Sequence, residues 1–300
     1  MEIKALRSFL TIARERSLTG AAEFLHVTQP TLSRLVKDLE NELGTKLFTR
    51  GSHRITLTDD GMLLRKRAEE IVEMVDKTTS SFTDREEKEV TGEVFLGGGE
   101  TYSMRHLAQL IDRLHRLYPR IKFHLYSGNS DDVTERLDKG LLDFGLLIQP
   151  ADLSKYEYVT LPTKDTWGVI MRRDHPLAKK KSITPKDLEG EPLIASRQAI
   201  RQSLSRNEFT EWFGSGFAKL NIIATINLVY NATIMVRQGT ASVFSLQDLV
   251  YTGEGSDLCF RPLRPRLESN LNVVWKKLQI FSPAAELFLK HLKEEFEPDF

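Results

Sequence analysis

The residues best suited to recognition chemistry lie together near the N-terminus, in the stretch TQPTLSRLVK that begins at residue 28. The amide of Gln29 can both donate to and accept from the edge of an adenine, and the guanidinium of Arg34 can bind a guanine edge or a phosphate. Short hydroxyl side chains between them would let a nucleic-acid backbone approach closely. The side chains predicted to contact DNA are those of Thr28, Gln29, Pro30, Thr31, Ser33, Arg34 and Lys37.

The same stretch has the pattern of an amphipathic helix, because its apolar residues recur on one helical face. Thr28 is a good N-cap residue, Pro30 falls in the first turn where its missing N–H is harmless, and Gly44 is typical of a helix end. Two helical patterns precede it, which predicts a helix-turn-helix. A small helical bundle with a solvated polar face is the alternative that periodicity leaves open. The apolar positions are Leu32, Leu35, Val36, Leu39 and Leu43.

A basic segment, KLFTRGSHRITLTDDG, follows this helix from residue 46. It predicts two short strands around a turn at residues 51–52, which would form a wing beside the helix-turn-helix. Basic side chains on a wing suit the phosphates or the minor groove that flank a major-groove contact. Arg50 and Arg54 therefore join the predicted DNA-binding residues, with Lys46 and His53 also facing outward.

The chain offers little for catalysis or metal binding. GGGE at residues 97–100 lacks the Gly-Lys-Ser/Thr ending of a phosphate-binding loop, so it indicates a tight turn. The seven histidines are scattered without the spacing of metal ligands. The single cysteine, Cys259, excludes an internal disulfide and a dithiol sensor. These observations predict no catalytic residue, no metal site and no cofactor.

Composition and charge are those of an ordinary globular protein. The 300 residues are 40% hydrophobic and 28% charged, and 42 basic residues balance 42 acidic ones. Because the net charge is zero, any binding of anions must be local. No apolar run approaches the roughly 18 residues that would span a bilayer, and the N-terminus lacks the layout of a signal peptide. A cytoplasmic chain of two domains, with no membrane partner, is the expectation.

A long helical pattern begins at Thr58 and runs through TDDGMLLRKRAEEIVEMVDKTTSSF. Asp59 and Asp60 suit the positive end of the helix dipole. A stripe of apolar residues lies on one side of this helix and needs a partner, which is either a neighbour in the same chain or a second subunit. The stripe consists of Leu64, Ala68, Ile71, Val72 and Val75.

From about residue 91 the pattern changes to alternating strands and helices. GEVFLGG, IKFHLYSG and LLDFGLLI are typical of strands and are separated by two helical segments, which predicts a βαβαβ unit with a parallel sheet covered on both faces. A second α/β set follows, and the chain crosses between the two halves near residues 161–166 and 265–270. A ligand is expected between the halves, at the carboxyl ends of the strands.

The loops after these strands supply the predicted ligand contacts. Helix N-termini at this edge carry unpaired N–H groups and a positive dipole end, which favour a carboxylate or phosphate oxygen. We therefore expect a small anionic metabolite. Ordinary turn and capping roles are the alternative for the same residues. The candidates are Gly99, Thr101, Tyr102, Ser127, Asn129, Ser196, Arg197 and Asn227.

Residues 17–61 contain a dense set of short motifs at fixed spacing. They are an Ala-Ala pair, Thr-Gln-Pro-x-x-Ser-Arg, Leu-Glu-x-x-Leu-Gly, Leu-Phe-x-Arg and Leu-Thr-x-x-Gly. In this pattern the chain resembles the LysR-type transcriptional regulators, and the resemblance extends, more weakly, to the C-terminus. It implies a winged helix-turn-helix over residues 1–58, a linker helix over 59–90 that pairs with a second subunit, and an effector-binding domain over 91–300.

The regulatory domain of this family is similar to a type II periplasmic binding protein, so the resemblance implies an α/β fold of two Rossmann-like subdomains. Subdomain I would comprise residues 91–162 and 267–300, and subdomain II residues 163–266. The resemblance further implies ligand-responsive binding to two-fold symmetric operators by a homodimer or homotetramer, RNA polymerase as a further partner, and no catalysis. The rival interpretation is a solute-binding or enzymatic α/β protein whose N-terminal helices serve only dimerisation.

Two features bear on the implied effector site. Thr101 is the strongest single candidate, because the family commonly places a hydroxyl beside the ligand at this position. Relatives often have a Gly-x-Gly-like run before a strand that ends in Leu-Pro, whereas this chain has GTASVFSLQ from residue 239. The resemblance therefore leaves the shape of the pocket around Ser245 open.

Overall fold

The computed structural model of the chain describes residues 1–50, 55–83, 90–200 and 208–297, in two compact units, Met1–Thr83 and Asp84–Phe300. Helices and one β-hairpin make up the first unit. Its described elements are α1 (Ile3–Glu15), α2 (Leu18–Phe24), α3 (Gln29–Leu43), β1 (Phe48–Arg50), β2 (Ile55–Leu57) and α4 (Asp59–Thr83).

Local capping sets the bounds of the helix-turn-helix. The Ser17 side chain accepts a hydrogen bond from the Gly20 N–H at the start of α2. Thr28 accepts one from the Thr31 N–H at the start of α3. Gly44 ends α3 with a φ of 70°, a left-handed conformation in which a Cβ would be strained. These contacts confirm the predicted helix-turn-helix and its caps.

The apolar face of α3 is buried along most of its length. Leu32 and Val36 pack with residues of α1 and α2, and Leu39 packs with α1 and α4. Leu43 is 42% exposed, so the prediction that it continues the buried stripe is wrong. The reason is its position in the last turn, beside the Gly44 cap and beyond the end of the packed core.

The second unit is an α/β structure. Its strands are β3 (Gly92–Gly98), β4 (Ile121–Ser127), β5 (Phe144–Ile148), β6 (Tyr156–Thr160), β7 (Asp165–Arg172), β8 (Pro192–Ser196), β9 (Asn221–Ile226), β10 (Ser242–Leu246), β11 (Leu258–Pro262), β12 (Glu268–Ser269) and β13 (Leu271–Lys276). Its described α-helices are α5 (Met104–Leu117), α6 (Ser130–Asp138), α7 (Glu208–Phe213), α8 (Tyr230–Arg237) and α9 (Pro283–Phe296), and short 3₁₀ helices cover Pro176–Lys179, Pro185–Leu188 and Gly214–Lys219.

These strands form two mixed sheets, in the order β4-β3-β5-β13-β6 and β11-β7-β10-β8-β9. Strands β4, β3 and β5 are parallel, as the βαβαβ pattern predicts, and so are β9, β8 and β10. Strands β13, β7 and β11 run antiparallel to their neighbours, which the sequence pattern does not predict, so both sheets are mixed. An apolar run indicates burial on both faces of a strand but does not indicate its direction.

The chain crosses twice between the sheets, after β6 and after β12. The first sheet therefore uses residues 92–160 and 271–276, and the second uses residues 165–269. Glu268 and Ser269 pair with Thr166 and Asp165 of β7, so both belong to the second sheet. The return to the first sheet therefore lies after Ser269.

The glycine-rich end of β3 serves close packing. A Cβ on Gly97 would clash with the Leu142 side chain. In the adjacent strand β5, a Cβ on Gly145 would lie 2.8 Å from both Leu137 and Val133 of α6. A Cβ on Gly98 or Gly99 would likewise crowd Leu146 or Ile148 of β5. The run GGGE is therefore explained by close packing around the end of β3, and its resemblance to a phosphate-binding loop is superficial.

Cys259 is buried in β11, as its apolar neighbours predict. Within the ranges that the structure describes, no helix has both the length and the apolar character needed to cross a membrane. In the same ranges, His, Cys, Asp and Glu side chains form no group of three or more that could hold a metal ion.

Candidate functional site

The start of α3 presents an exposed row of polar side chains. The Arg34 side chain is 86% exposed, although its Nε lies 3.9 Å from Asp38 Oδ2. An exposed ion pair of this kind is weak, so the guanidinium is available to another partner. The hydroxyls of Thr28 and Thr31 lie 2.8 Å apart in the first turn. The predicted residues that are exposed here are Thr28, Gln29, Pro30, Thr31, Arg34 and Lys37.

Ser33 is set back from this row. It is half-buried and lines a cavity of about 420 Å³ between α3 and the hairpin, together with Val36 and Phe48. Residues 33 and 36 lie one above the other on a helix, so Ser33 falls at the edge of the buried stripe. Arg50 ends β1 with its side chain outside the described residues, and Arg54 lies outside them altogether.

Lys46 faces solvent as predicted, but it is also tied to α3. Its Nζ lies 2.6 Å from Glu40 Oε2, and Glu40 Oε1 accepts the Leu47 N–H at 3.0 Å. Burial raises the pKa of Glu40, but the hydrogen bonds from Lys46 and Leu47 outweigh burial and hold that pKa below its usual value. The pair therefore anchors the last turns of α3 to the strand that follows.

We expect Glu40→Gln to lower the free energy of unfolding of the first unit by about 1–2 kcal/mol, because a charge-assisted hydrogen bond is lost. The pKa of Glu40 is lower in the folded than in the unfolded chain. Its contribution is therefore complete above the unfolded value of 4.5 and disappears as the pH falls through the folded value.

Urea unfolding of the wild type and of Glu40→Gln, at about pH 7 and about pH 3, measures this contribution. The difference between the two chains should be present at the higher pH and shrink at the lower one. Glu23→Gln removes an exposed carboxylate from α2 and is the control. Equal stability of Glu40→Gln and wild type at the higher pH would show that the pair does not stabilise the unit.

The second unit contains a cavity of about 80 Å³ between its two sheets. The loops that follow β3, β5, β8 and β9 line it, at the edge where the α/β pattern predicts a ligand. Four of the predicted contact residues are in its lining: Gly99, Asn129, Ser196 and Asn227. Its apolar walls include Ile148, Trp167, Ile226, Phe244 and Leu246.

The other four predicted contacts, Thr101, Tyr102, Ser127 and Arg197, do not line this cavity. The side chains of the last three residues are exposed to solvent. Thr101 is buried, its hydroxyl donates to Asp165, and the same oxygen accepts the Ser103 N–H at 2.9 Å. Thr101 therefore has a structural role in this arrangement, and its role as a ligand contact stays a prediction.

Asp165 is the centre of the buried polar cluster that holds Thr101. Its carboxyl accepts hydrogen bonds from the hydroxyls of Thr101 and Ser103, the latter at 2.7 Å. The Ser103 hydroxyl also lies 3.1 Å from that of Thr163, which lies 3.0 Å from His106 Nε2. Burial lowers the pKa of His106. The cluster joins the loop after β3 to the segment that crosses into the second sheet.

Gln198, which was not among the predicted residues, bridges the cleft. Its Nε2 donates to the carbonyl oxygens of Ile148 at 3.1 Å and Pro150 at 3.0 Å. Its Oε1 accepts the Ser130 N–H at 3.2 Å. One side chain from the second sheet thus holds two loops of the first.

Glu100, also absent from the predicted set, makes a second link across the cleft. Its Oε2 accepts the N–H of Val229, at the start of α8, at 2.9 Å. The sequence signal for Glu100 and Gln198 is their position, because each follows a strand end and is adjacent to a predicted residue. Which of two neighbouring side chains turns into the cleft depends on loop conformation and not on residue type.

Two family models match the chain. Residues 3–62 match the bacterial regulatory helix-turn-helix protein, lysR family, and residues 87–297 match the LysR substrate binding domain. Together they span most of the chain. The chain belongs to the LysR family. Members of this family are transcriptional regulators and not enzymes, so the rival interpretation as an enzyme is wrong.

Relatives of this LysR-type regulator match it along its length. It is 28% identical over 298 residues to the uncharacterized HTH-type transcriptional regulator YvbU of Bacillus subtilis (strain 168), with 99% of each chain covered. It is 27% identical over 299 residues to the Hca operon transcriptional activator HcaR of Escherichia coli (strain K12), with 98% of each chain covered.

Solved structures confirm the fold. The crystal structure of CbnR, a LysR family transcriptional regulator, matches with a TM-score of 0.75 at 20% identity over 99% of each chain. Full-length CbnR complexed with its target DNA matches with a TM-score of 0.73 at 20% identity, over 98% of this chain and 99% of that one.

The apolar stripe of α4, which the resemblance assigns to a dimer interface, packs within the first unit of this LysR-type regulator. Ala68 is fully buried in a cluster with Leu6 and Phe9, so it has no surface left for a second subunit. The intramolecular alternative therefore accounts for Ala68, while a dimer contact through the rest of the stripe stays a prediction. The partly buried stripe residues that pack against this cluster are Leu64, Ile71 and Val72, whereas Val75 lies beyond it.

Proposed function

We propose that this regulator reads operator DNA with the N-terminal end of α3. The observation that carries the proposal is the exposed row beginning at Gln29, at the capped start of the second helix of the helix-turn-helix. In a major groove, Gln29 can form two hydrogen bonds with adenine and Arg34 two with guanine. Arg50 and Arg54 would contact the flanking backbone or minor groove. The complex of CbnR with its target DNA, in the same fold, supports this placement.

Gln29→Ala should lower operator affinity by about 1–3 kcal/mol and relax the preference at one base pair, because a base contact is lost. Lys37→Ala should instead weaken binding to all sequences alike and lower the salt slope by about one unit, because a phosphate contact is lost. Lys122→Ala removes an exposed charge from β4 and is the control.

Fluorescence anisotropy of the three variants on operator and scrambled duplexes, over a series of salt concentrations, distinguishes these effects. Equal losses of affinity for operator and scrambled DNA in Gln29→Ala would contradict the base contact. An unchanged salt slope in Lys37→Ala would contradict the phosphate contact.

We propose that two copies bind together, because one recognition helix reads a half-site and a symmetric operator has two. The outer side of α4 is the surface we assign to the second copy. Leu63 is 61% exposed there, and Met74 lies three helical turns further along the same side. We further propose that the dimers form a homotetramer through the second unit. The proposal also includes a cytoplasmic location and contact with RNA polymerase.

We propose that a small effector binds in the cleft and favours one arrangement of the two sheets, which changes the DNA-binding geometry. Gln198 and Glu100 already form hydrogen bonds across the cleft, so a ligand that replaces them changes how the sheets are joined. Coupling of about 1–3 kcal/mol between effector and DNA is the usual scale for such a change.

A thermal-shift screen of metabolites against the full chain, followed by DNA titrations with each compound that binds, tests the cleft. Ser196→Leu should fill the cavity and abolish both the thermal shift and the DNA response. Arg197→Ala changes the adjacent exposed residue, which does not line the cavity, and should respond like the wild type. A response that survives in Ser196→Leu would place the effector elsewhere.

A further inference from the structure

Among the described residues, the charge that lines the cleft is negative. Among the described residues that line the cavity, the one ionisable side chain is that of Glu100. Its Oε2 accepts the Val229 N–H at 2.9 Å, where α8 begins. A carboxylate is stabilised at the positive end of a helix dipole, so Glu100 occupies the place that an anionic ligand would take.

Two neighbouring backbone N–H groups at these helix starts also donate to side chains of the same chain. Beside Val229, the Leu228 N–H donates to Asn227 Oδ1 at 3.0 Å. At the start of α6, the Ser130 N–H donates to Gln198 Oε1, and Asn129 Oδ1 accepts the Asp132 N–H at 3.1 Å. A carboxylate or phosphate would therefore meet a like charge and displace existing hydrogen bonds. The expectation of an anionic effector does not fit these contacts.

We propose that the effector carries a protonated amine that pairs with Glu100, a proposal that rests on the cleft being the effector site. An ammonium group only donates hydrogen bonds, and a carboxylate only accepts them, so Glu100 can serve the amine and the Val229 N–H together. Trp167 and Phe244 in the lining offer ring surface to an alkyl stem or to the cation itself.

Size restricts the ligand further. The cavity of about 80 Å³ is smaller than the roughly 150 Å³ cavity that holds benzene. Glu100 is the one charged residue in the described lining, whose other polar side chains, such as those of Asn129 and Ser196, are neutral. An anionic group on the ligand would therefore meet no opposite charge among these residues. The effector class is therefore a compact amine without a carboxylate.

Three probes of equal length, butylamine, butanol and butyrate, test the charge preference in the full-length chain. Thermal shift and calorimetric titration should show butylamine binding about tenfold or more tighter than the other two, because the ion pair is partly enclosed. Glu100→Gln keeps an oxygen for the Val229 N–H, so the fold is retained while the charge is lost. Butylamine binding should fall to the level of butanol in this variant and remain unchanged in Glu254→Gln, an exposed control.

Butyrate binding as tightly as butylamine, butylamine binding that survives in Glu100→Gln, or binding by none of the three would overturn the proposed amine. The Ser196→Leu variant tests separately whether the cleft is the effector site. If butyrate binds and Ser196→Leu abolishes its binding, the charge preference fails while the effector site stands. If compounds that change DNA affinity bind equally well to Ser196→Leu, the proposed effector site fails.

Discussion

Replacing Ala68 with glutamate is expected to unfold the N-terminal unit and abolish DNA binding. Ala68 is 0% exposed and belongs to the cluster that packs α4 against α1 and α3. A glutamate would add volume to this core and bury a carboxylate among apolar side chains such as Leu6 and Phe9. An uncompensated buried charge destabilises a protein by about 3–5 kcal/mol, which is comparable with the whole stability of a small domain.

Leu63→Glu is the matched variant, because it places the same charge on the exposed side of the same helix. It should keep the thermal unfolding of the wild type and lower the mass measured by light scattering, because the contact between copies through α4 is lost. Ala68→Glu should instead lose helical circular dichroism and affinity for any duplex. A folded, monomeric Ala68→Glu chain would show that this residue belongs to the subunit interface, as the resemblance implies.

Asp165→Ala is expected to destabilise the second unit by about 3 kcal/mol, because it leaves the buried hydroxyls of two residues without their acceptor. These are Thr101 and Ser103, both of which donate to the Asp165 carboxyl. Asp112→Ala, which removes one partner of an exposed pair with Arg116, should change stability by less than about 1 kcal/mol. Urea unfolding of the two full-length variants measures the difference, and equal midpoints would contradict the structural role of the cluster.

Thr101→Val distinguishes the structural role of this residue from the role expected by resemblance. Its hydroxyl contacts Asp165 and Ser103 and lies outside the cavity lining. The variant should therefore unfold at lower urea while binding cleft ligands with wild-type affinity. Loss of ligand affinity with unchanged stability would show that Thr101 contacts the ligand.

The helix-turn-helix could be predicted from the sequence because its signals are local. Thr28, Pro30 and Gly44 act within one turn of their own positions, and the exposed row of α3 follows from helical spacing. Likewise, the loops at the cleft follow from the order of strands and helices. The direction of β13 could not be predicted, because it depends on where the chain returns and not on the composition of the strand.

The partner of α4 and the lining of the cleft could not be predicted from the sequence, for a different reason. An amphipathic stripe shows that Ala68 is buried but not whether α1 or a second subunit covers it. In the loop after β3, residues 99–102 are all plausible contacts, yet Glu100 turns into the cleft and Thr101 turns toward Asp165. That choice is set by hydrogen bonds to residues more than sixty positions away, which no local pattern records.

Selection of binding sites from random-sequence duplexes by the full-length chain is the most direct test of sequence reading by α3. The wild type should enrich two symmetric half-sites separated by about one helical turn or a multiple of it. A chain with both Gln29→Ala and Arg34→Ala should remain folded and keep weak, salt-dependent binding without enriching that sequence. If the wild type enriches no sequence, or the double variant enriches the same one, α3 is not the element that reads DNA.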